Sequence, residues 1–132
     1  MRLWHQSLIP HLPRQQLLGQ HRECCALRGA GWGRKHSVVN YVFIHEPTYL
    51  VAYHYLIMNE MKRRGYNPDS IWYNCDYRGK TLGTQQGWVN EKLVGNLLIA
   101  SQYTPIYSEH NEEYLQECLD NLREKGIEIR MD

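Results

Sequence analysis

Apolar residues recur along this chain at helical spacing in four places. In residues 13–28, Leu17, Leu18, Cys24 and Cys25 fall on one side of a helix with His21 between them. Gln16, Gly19, Gln20 and Glu23 fall on the other side. Pro13 suits the first helical turn, where an N–H is not needed, and Gly29 is a stop signal. The second helix opens at Pro47 and ends before Gly65. Tyr49, Leu50, Tyr53, Leu56, Ile57 and Met61 form a wide apolar face, and Val51, Tyr55 and Met58 leave little polar surface. That pattern predicts a central helix, with Lys62, Arg63 and Arg64 complementing the dipole in its last turn. Residues 88–101 place Val89, Leu93, Val94, Leu97 and Leu98 inward. The fourth helix has Asn111 as its N-cap and Glu112 and Glu113 in its first turn. Leu115, Cys118, Leu119 and Leu122 lie inward, and Gly126 follows as a stop.

Between these helices the pattern weakens. Residues 1–12 read as an N-terminal arm, with Pro10 and Pro13 limiting regular structure. Residues 29–35 form a Gly-rich basic loop. Residues 36–44 fit either a short strand or a helix; helix is favoured because no partner strand lies nearby. Residues 66–87 read as a long loop punctuated by Asn67-Pro68-Asp69, Arg78-Gly79-Lys80 and Gly83. Residues 127–132 read as a strand or a frayed end. The expected fold is all-α, one domain over 1–132, with an N-terminal arm.

Composition narrows this further. With 132 residues the chain buries a core without staples, and 10 Tyr and 4 Trp argue against disorder. No run of about 18 apolar residues exists, so a membrane span is not expected. The 4 Cys include the adjacent Cys24 and Cys25, a usage that suits reduced thiols and a cytoplasmic location. The net charge of +1 hides an asymmetry. Residues 1–80 hold eleven Lys/Arg and five Asp/Glu, net +6, whereas residues 81–132 hold four and nine, net −5. A basic first part permits a polyanionic partner.

Three constellations carry candidate chemistry. Glu23 follows Arg22 on the polar side of the first helix, with Gly19 one turn earlier. A glycine there removes a flanking side chain and lets a ligand approach the carboxylate. The basic set Arg2, Arg14, Arg22, Arg28, Arg34, Lys35, Lys62, Arg63, Arg64, Arg78 and Lys80 is interleaved with Trp4, Trp32, Trp72, Tyr73 and Tyr77, and the first six are the candidate DNA contacts. Such cations neutralise phosphates, and such rings stack on bases or fill a core. His21, Cys24 and Cys25 share one helix face. Without a second ligand pair they read as small core residues beside a hydrogen-bonded His, and no metal is expected. Neither a phosphate-loop motif, nor G-x-S-x-G, nor H-E-x-x-H occurs.

The stretch Leu12-Pro13-Arg14-Gln15-Gln16-Leu17-Leu18-Gly19-Gln20-His21-Arg22-Glu23, closing at Arg28-Gly29, resembles the phage-type pyrimidine-dimer DNA glycosylase/AP lyase family. So does the run from Lys35-His36 through Tyr49-Leu50 to Glu60-Met61-Lys62-Arg63-Arg64-Gly65-Tyr66-Asn67. The wording of residues 1–10 is similar to a bacterial branch of that family. The resemblance implies a small all-α enzyme, without metal or organic cofactor, acting on damaged double-stranded DNA, with a monomer expected. It implies an N-terminal α-amine that attacks C1′ of the damaged nucleotide and forms a Schiff base, followed by β-elimination. Glu23 then matches the carboxylate that stabilises the cationic sugar and assists proton transfer, and Arg22 matches a phosphate-holding residue. Free α-amines titrate near 7.7–8.0, so a useful fraction is nucleophilic at neutral pH. The family exposes a small residue by removing its initiator Met. Here residue 2 is Arg, which retains Met1, so the implied nucleophile is the Met1 amine. Gln16 and Ala26 stand where the family has basic residues, and the family's aromatic tail is replaced by the aromatic-free residues 127–132. The alternatives are a non-catalytic nucleic-acid-binding protein on the same fold, or a lyase for a different damaged base.

Overall fold

The computed structural model describes residues 1–35 and 38–131. Its helices are α1 (Arg14–Arg28), α2 (Pro47–Arg63), α3 (Glu91–Ala100) and α4 (Glu112–Glu124). Short 3-10 turns occupy Gln6–His11, Asn40–Ile44 and Ser70–Tyr73. An isolated antiparallel bridge joins Tyr77 to Thr84, and no strand forms among the described residues. The fold is therefore all-α, as the periodicity predicts. His36 and Ser37, at the start of the ambiguous segment, lie outside the described residues, as does Asp132. From Asn40 the segment is helical, and the tail up to Met131 forms no strand.

Central α2 packs against both α1 and α3. Pro47 supplies its first turn, and Leu50, Val51, Ala52, Tyr53, Ile57 and Met58 are fully buried, so it is enclosed on nearly all sides. At its end, Glu60 receives Arg63 and Arg64. Arg64 also donates to the carbonyls of Leu12 (2.7 Å), Pro10 (3.2 Å) and Ile9 (3.3 Å). The basic end of α2 thus satisfies carbonyls of the preceding segment and does more than complement a dipole.

Two expectations need correction. Residues 1–12 are not an arm of limited regular structure but a packed segment: Leu3, Trp4, Leu8, Ile9 and Leu12 are buried, and Gln6–His11 is a 3-10 turn that accommodates Pro10. A segment carrying that many large apolar residues is held by burial, at about 1.5–3 kcal/mol per side chain. The side of α1 taken as polar is also partly interior. Gln20 and Arg28 are buried with Leu17, Cys24 and Leu27, because residues 2–4 fold back across the Gln20 side.

Asn90 and Asn111 cap α3 and α4 by accepting the N–H groups of Leu93 (3.0 Å) and Tyr114 (2.9 Å). α4 closes in a Schellman turn: Gly126 N–H bonds Arg123 O (2.9 Å) and Ile127 N–H bonds Leu122 O (2.9 Å). Gly126 sits at φ +81°, which favours glycine. α4 lies along the N-terminal segment, where the Tyr114 hydroxyl donates to Leu3 O (2.5 Å) and His110 Nδ1 accepts the Gln6 N–H (3.0 Å).

Burial depresses the pKa of four histidines. His54 is held well below its usual value, with the Arg28 charge reinforcing burial, and His110 is lowered to about 3; His5 and His21 also shift down. The unfolded chain takes up these protons near pH 6.5 while the folded chain does not. The stability is therefore full above that pH and is lost as pH falls toward the folded values. For buried His54 and His110 the slope is about 1.4 kcal/mol per pH unit each. Denaturant midpoints measured between pH 7.5 and 5 are expected to fall steadily below about pH 6.5; a flat profile would refute neutral burial.

Candidate active site

α1 presents Glu23 one turn after Gln20, so both side chains project toward the folded-back residues 2–4. The Gln20 amide is saturated. Its Oε1 accepts the Trp4 N–H (2.6 Å) and lies 2.9 Å from the Tyr53 hydroxyl; its Nε2 donates to Arg2 O (2.8 Å) and to Glu23 Oε2 (3.0 Å). The Tyr53 hydroxyl also donates to Trp4 O (2.6 Å). The segment behind Met1 is therefore bonded to α1 and α2 through buried groups. Met1 and Glu23 line one cleft of about 220 Å³, together with Arg2, Trp4 and Val38, and with Asn121 and Lys125 from the end of α4. Met1 is 46% exposed and Glu23 half-buried, so the amine end and the carboxylate both face solvent in the cleft. A larger depression of about 640 Å³ lies between His5–Ser7 and residues 101–112. Hydroxyl, amide and aromatic side chains dominate it, with Ser7 bonded to His5 (2.8 Å) and Glu112 at its rim, but the chain's α-amine lines the smaller cleft together with a carboxylate, which makes that cleft the better candidate.

Sequence periodicity did not point to Gln20. A glutamine among polar neighbours carries no sign of burial until residues 2–4 and Tyr53 close over it.

The expected cations divide. Arg14, Arg22, Arg34 and Lys35 are exposed. Arg14 rests over the Tyr66 ring (5.5 Å), and Arg34 Nε donates to Ala30 O (3.0 Å). A side chain at Gly19 would meet only the Arg22 guanidinium, 3.7 Å away, so the surface there is open. Arg2 is mostly covered. Its guanidinium lies over Tyr114 (5.8 Å) and 3.6 Å from Glu117, and its Nη1 is buried without a hydrogen bond.

Arg28 is a correction. It is fully buried and offers nothing to a phosphate at the surface. Its Nη1 donates to Trp72 O (2.8 Å) and His54 Nδ1 (3.0 Å). Its Nη2 donates to Asn74 O (2.9 Å) and Tyr77 O (2.9 Å), with Cys75 O at 3.5 Å. The guanidinium fork ties residues 72–77 to α1 because the two NH2 groups of one planar ion reach carbonyls arranged around them, while its Nε is buried without a hydrogen bond. Arg78 adds a second tie. It stacks on Trp88 (4.3 Å) and donates to the carbonyls of Arg28 (2.8 Å) and Gly29 (3.1 Å). The Gly-rich loop is correspondingly tight: a Cβ on Gly31 would lie 2.8 Å from Ala26 O. Trp32 packs edge-on against Phe43 and Trp88, and Trp72 against His54 and Tyr77, so both rings fill the interior side.

The His21, Cys24 and Cys25 set rearranges. Cys24 is in the core, while His54 joins His21 and Cys25, with ligand atoms within 4.8 Å of one another. The donor set does not suit a cation. Arg28 only donates, so His54 Nδ1 must accept and the proton of the neutral ring sits on Nε2. That Nε2–H points at His21 Nδ1, 2.8 Å away, and has no lone pair for a metal. Burial also raises the Cys25 thiol to about 12, against the opposing pull of Arg28. These residues form a hydrogen-bonded chain of fixed polarity between α1 and α2.

A family model described as pyrimidine dimer DNA glycosylase matches residues 1–74, more than half of the chain. The chain belongs to the pyrimidine dimer DNA glycosylase family. That description makes it a DNA-repair enzyme by family and DNA its class of substrate. No curated protein and no solved structure matches the chain. The glycosylase match covers α1, α2 and the Met1–Glu23 side of the cleft; Asn121, Lys125, Arg78 and Trp88 lie outside it. Among the described residues, no helix is long and apolar enough to cross a membrane.

Proposed function

We propose that this chain is a DNA N-glycosylase with abasic-site lyase activity, in which the Met1 α-amine is the nucleophile and Glu23 the acid–base group. The observation that supports it most is the cleft shared by Met1 and Glu23, whose walls are tied together through Gln20. An amine and a carboxylate in one small cleft suit attack at a sugar carbon followed by proton abstraction. The amine forms a bond to C1′ as the base leaves with the electrons of the C1′–N bond and takes a proton. Loss of the amine proton and opening of the sugar ring give the protonated Schiff base. Glu23 in its ionised form stabilises that cation and removes a C2′ proton, and the 3′-phosphate departs by β-elimination. Water then releases the enzyme. Arg22 with Arg14, Arg34 and Lys35 supplies phosphate contacts, and a damaged pair opens at a reduced cost of a few kcal/mol.

The test traps the intermediate with borohydride on abasic-site DNA and on cyclobutane-dimer DNA, after intact-mass measurement shows that Met1 carries a free amine. The expected result is a covalent adduct on both substrates, and a loss of about 100-fold or more when the amine is acetylated. Adduct on abasic DNA alone points to another lesion. Salt-dependent binding without any adduct leaves a binding protein and sinks the chemistry.

A further inference from the structure

We propose that Gln20 is a positioning residue for this reaction, holding the nucleophile's backbone and the Glu23 carboxylate with the two hydrogens of one amide. The inference rests on the amine–carboxylate reading above.

The orientation of that amide is dictated by its neighbours. Trp4 N–H can only donate, so the oxygen of Gln20 must face it. The NH2 group is then turned toward Arg2 O and Glu23 Oε2, both acceptors, at 2.8 and 3.0 Å. No flipped arrangement satisfies these partners, because it would set NH2 against the Trp4 N–H and oxygen against a carbonyl and a carboxylate. The Tyr53 hydroxyl, reaching in from α2, lies 2.9 Å from that oxygen and 2.6 Å from Trp4 O, so its single proton serves one of the two at a time. The side chain is 1% exposed, so water cannot replace a lost partner cheaply.

The consequence is geometric and electrostatic. The Arg2 carbonyl is one residue from the Met1 amine, and Glu23 is one helical turn from Gln20. One rigid amide thereby sets how far the amine can drift from the carboxylate, and misplacement by an ångström slows such reactions by up to about 100-fold. Its N–H also favours the ionised carboxylate. Other polar and charged groups line the same cleft or flank the carboxylate. Met1 and Arg2 come from the N-terminal segment, Lys125 and Asn121 from α4, and Arg22 and Cys24 lie beside it on α1. Gln20 bonds both the segment behind the nucleophile and Glu23.

Two variants test this, with single-turnover cleavage of abasic-site DNA followed from pH 5 to 9 and a melting temperature taken for each protein. Gln20→Glu replaces a double donor with a group that has one proton at most and repels Glu23 when ionised. The acid limb of its pH–rate profile is expected to move up by roughly one unit. Gln20→Asn is one methylene shorter and cannot span Arg2 O and Glu23 together. It is expected to lose about tenfold or more in rate while binding DNA as before; it decides the matter if the Glu variant does not fold. A fall of equal size at every pH in Gln20→Glu, or an unchanged rate in Gln20→Asn, overturns the positioning role. A wild-type protein that cleaves nothing overturns the underlying reading instead, and this one with it.

Discussion

Glu23→Gln is expected to lower strand cleavage of abasic-site DNA by about 10²- to 10⁴-fold while DNA binding stays within a few-fold of wild type. The amide has the shape of the carboxylate, and its oxygen can still accept the Gln20 Nε2–H now 3.0 Å from Oε2, so the cleft keeps its form. On the proposed mechanism, what disappears is the base that removes the C2′ proton and the charge that offsets the protonated Schiff base. Binding survives because the exposed cations Arg14, Arg22, Arg34 and Lys35 are untouched. Removing a negative charge from a cleft proposed to face DNA also reduces repulsion. Single-turnover cleavage and fluorescence anisotropy, measured on the same preparation, separate the two effects. Cleavage at the wild-type rate would mean that Glu23 is not the acid–base group.

Arg28→Met is expected to have the largest effect on stability, a loss of about 3–5 kcal/mol by denaturant titration. The side chain is buried, and its departure strands the carbonyls of Trp72, Asn74 and Tyr77 and the Nδ1 of His54 in the interior. Arg28→Lys keeps the charge but places a single ammonium where a planar fork spans several acceptors, so it should recover only part of the loss. The same variants separate the structural role from a DNA contact. A phosphate-binding arginine lowers the salt dependence of binding by about one unit of slope when removed, whereas Arg28 is expected to leave that slope unchanged. A stable Arg28→Lys protein with a reduced slope would restore Arg28 to the DNA-contacting set.

Residues with regular neighbours were read well from sequence. Pro47 and the continuous apolar positions of α2 imply a buried central helix, and Asn111 with Gly126 marks both ends of α4, because capping depends on residues a few positions apart. Arg28 was misread because an arginine beside a glycine-rich loop looks like surface charge until residues 72–77, more than forty positions on, bring their carbonyls to it. His54 was missed as a partner of His21 and Cys25 because the contact crosses two helices. The N-terminal segment was read as an arm of little regular structure because its prolines suppress regular hydrogen bonding, while its burial depends on α1, α2 and α4 together.

By itself the sequence determined the helical class, the limits of α1, α2 and α4 (α3 begins at Glu91, not at Trp88), the family and the choice of Glu23 as a candidate, since all of these live in local spacing or in a contiguous motif. Only the tertiary structure decided which polar groups are interior. It turned Gln20 from a surface glutamine into the link between the Met1 segment and Glu23, and Arg28 from a candidate phosphate ligand into the pin of a loop. The physical reason is the same in both cases. A buried polar side chain is tolerated only where partners from distant segments satisfy it, and those partners exist only once the chain has folded.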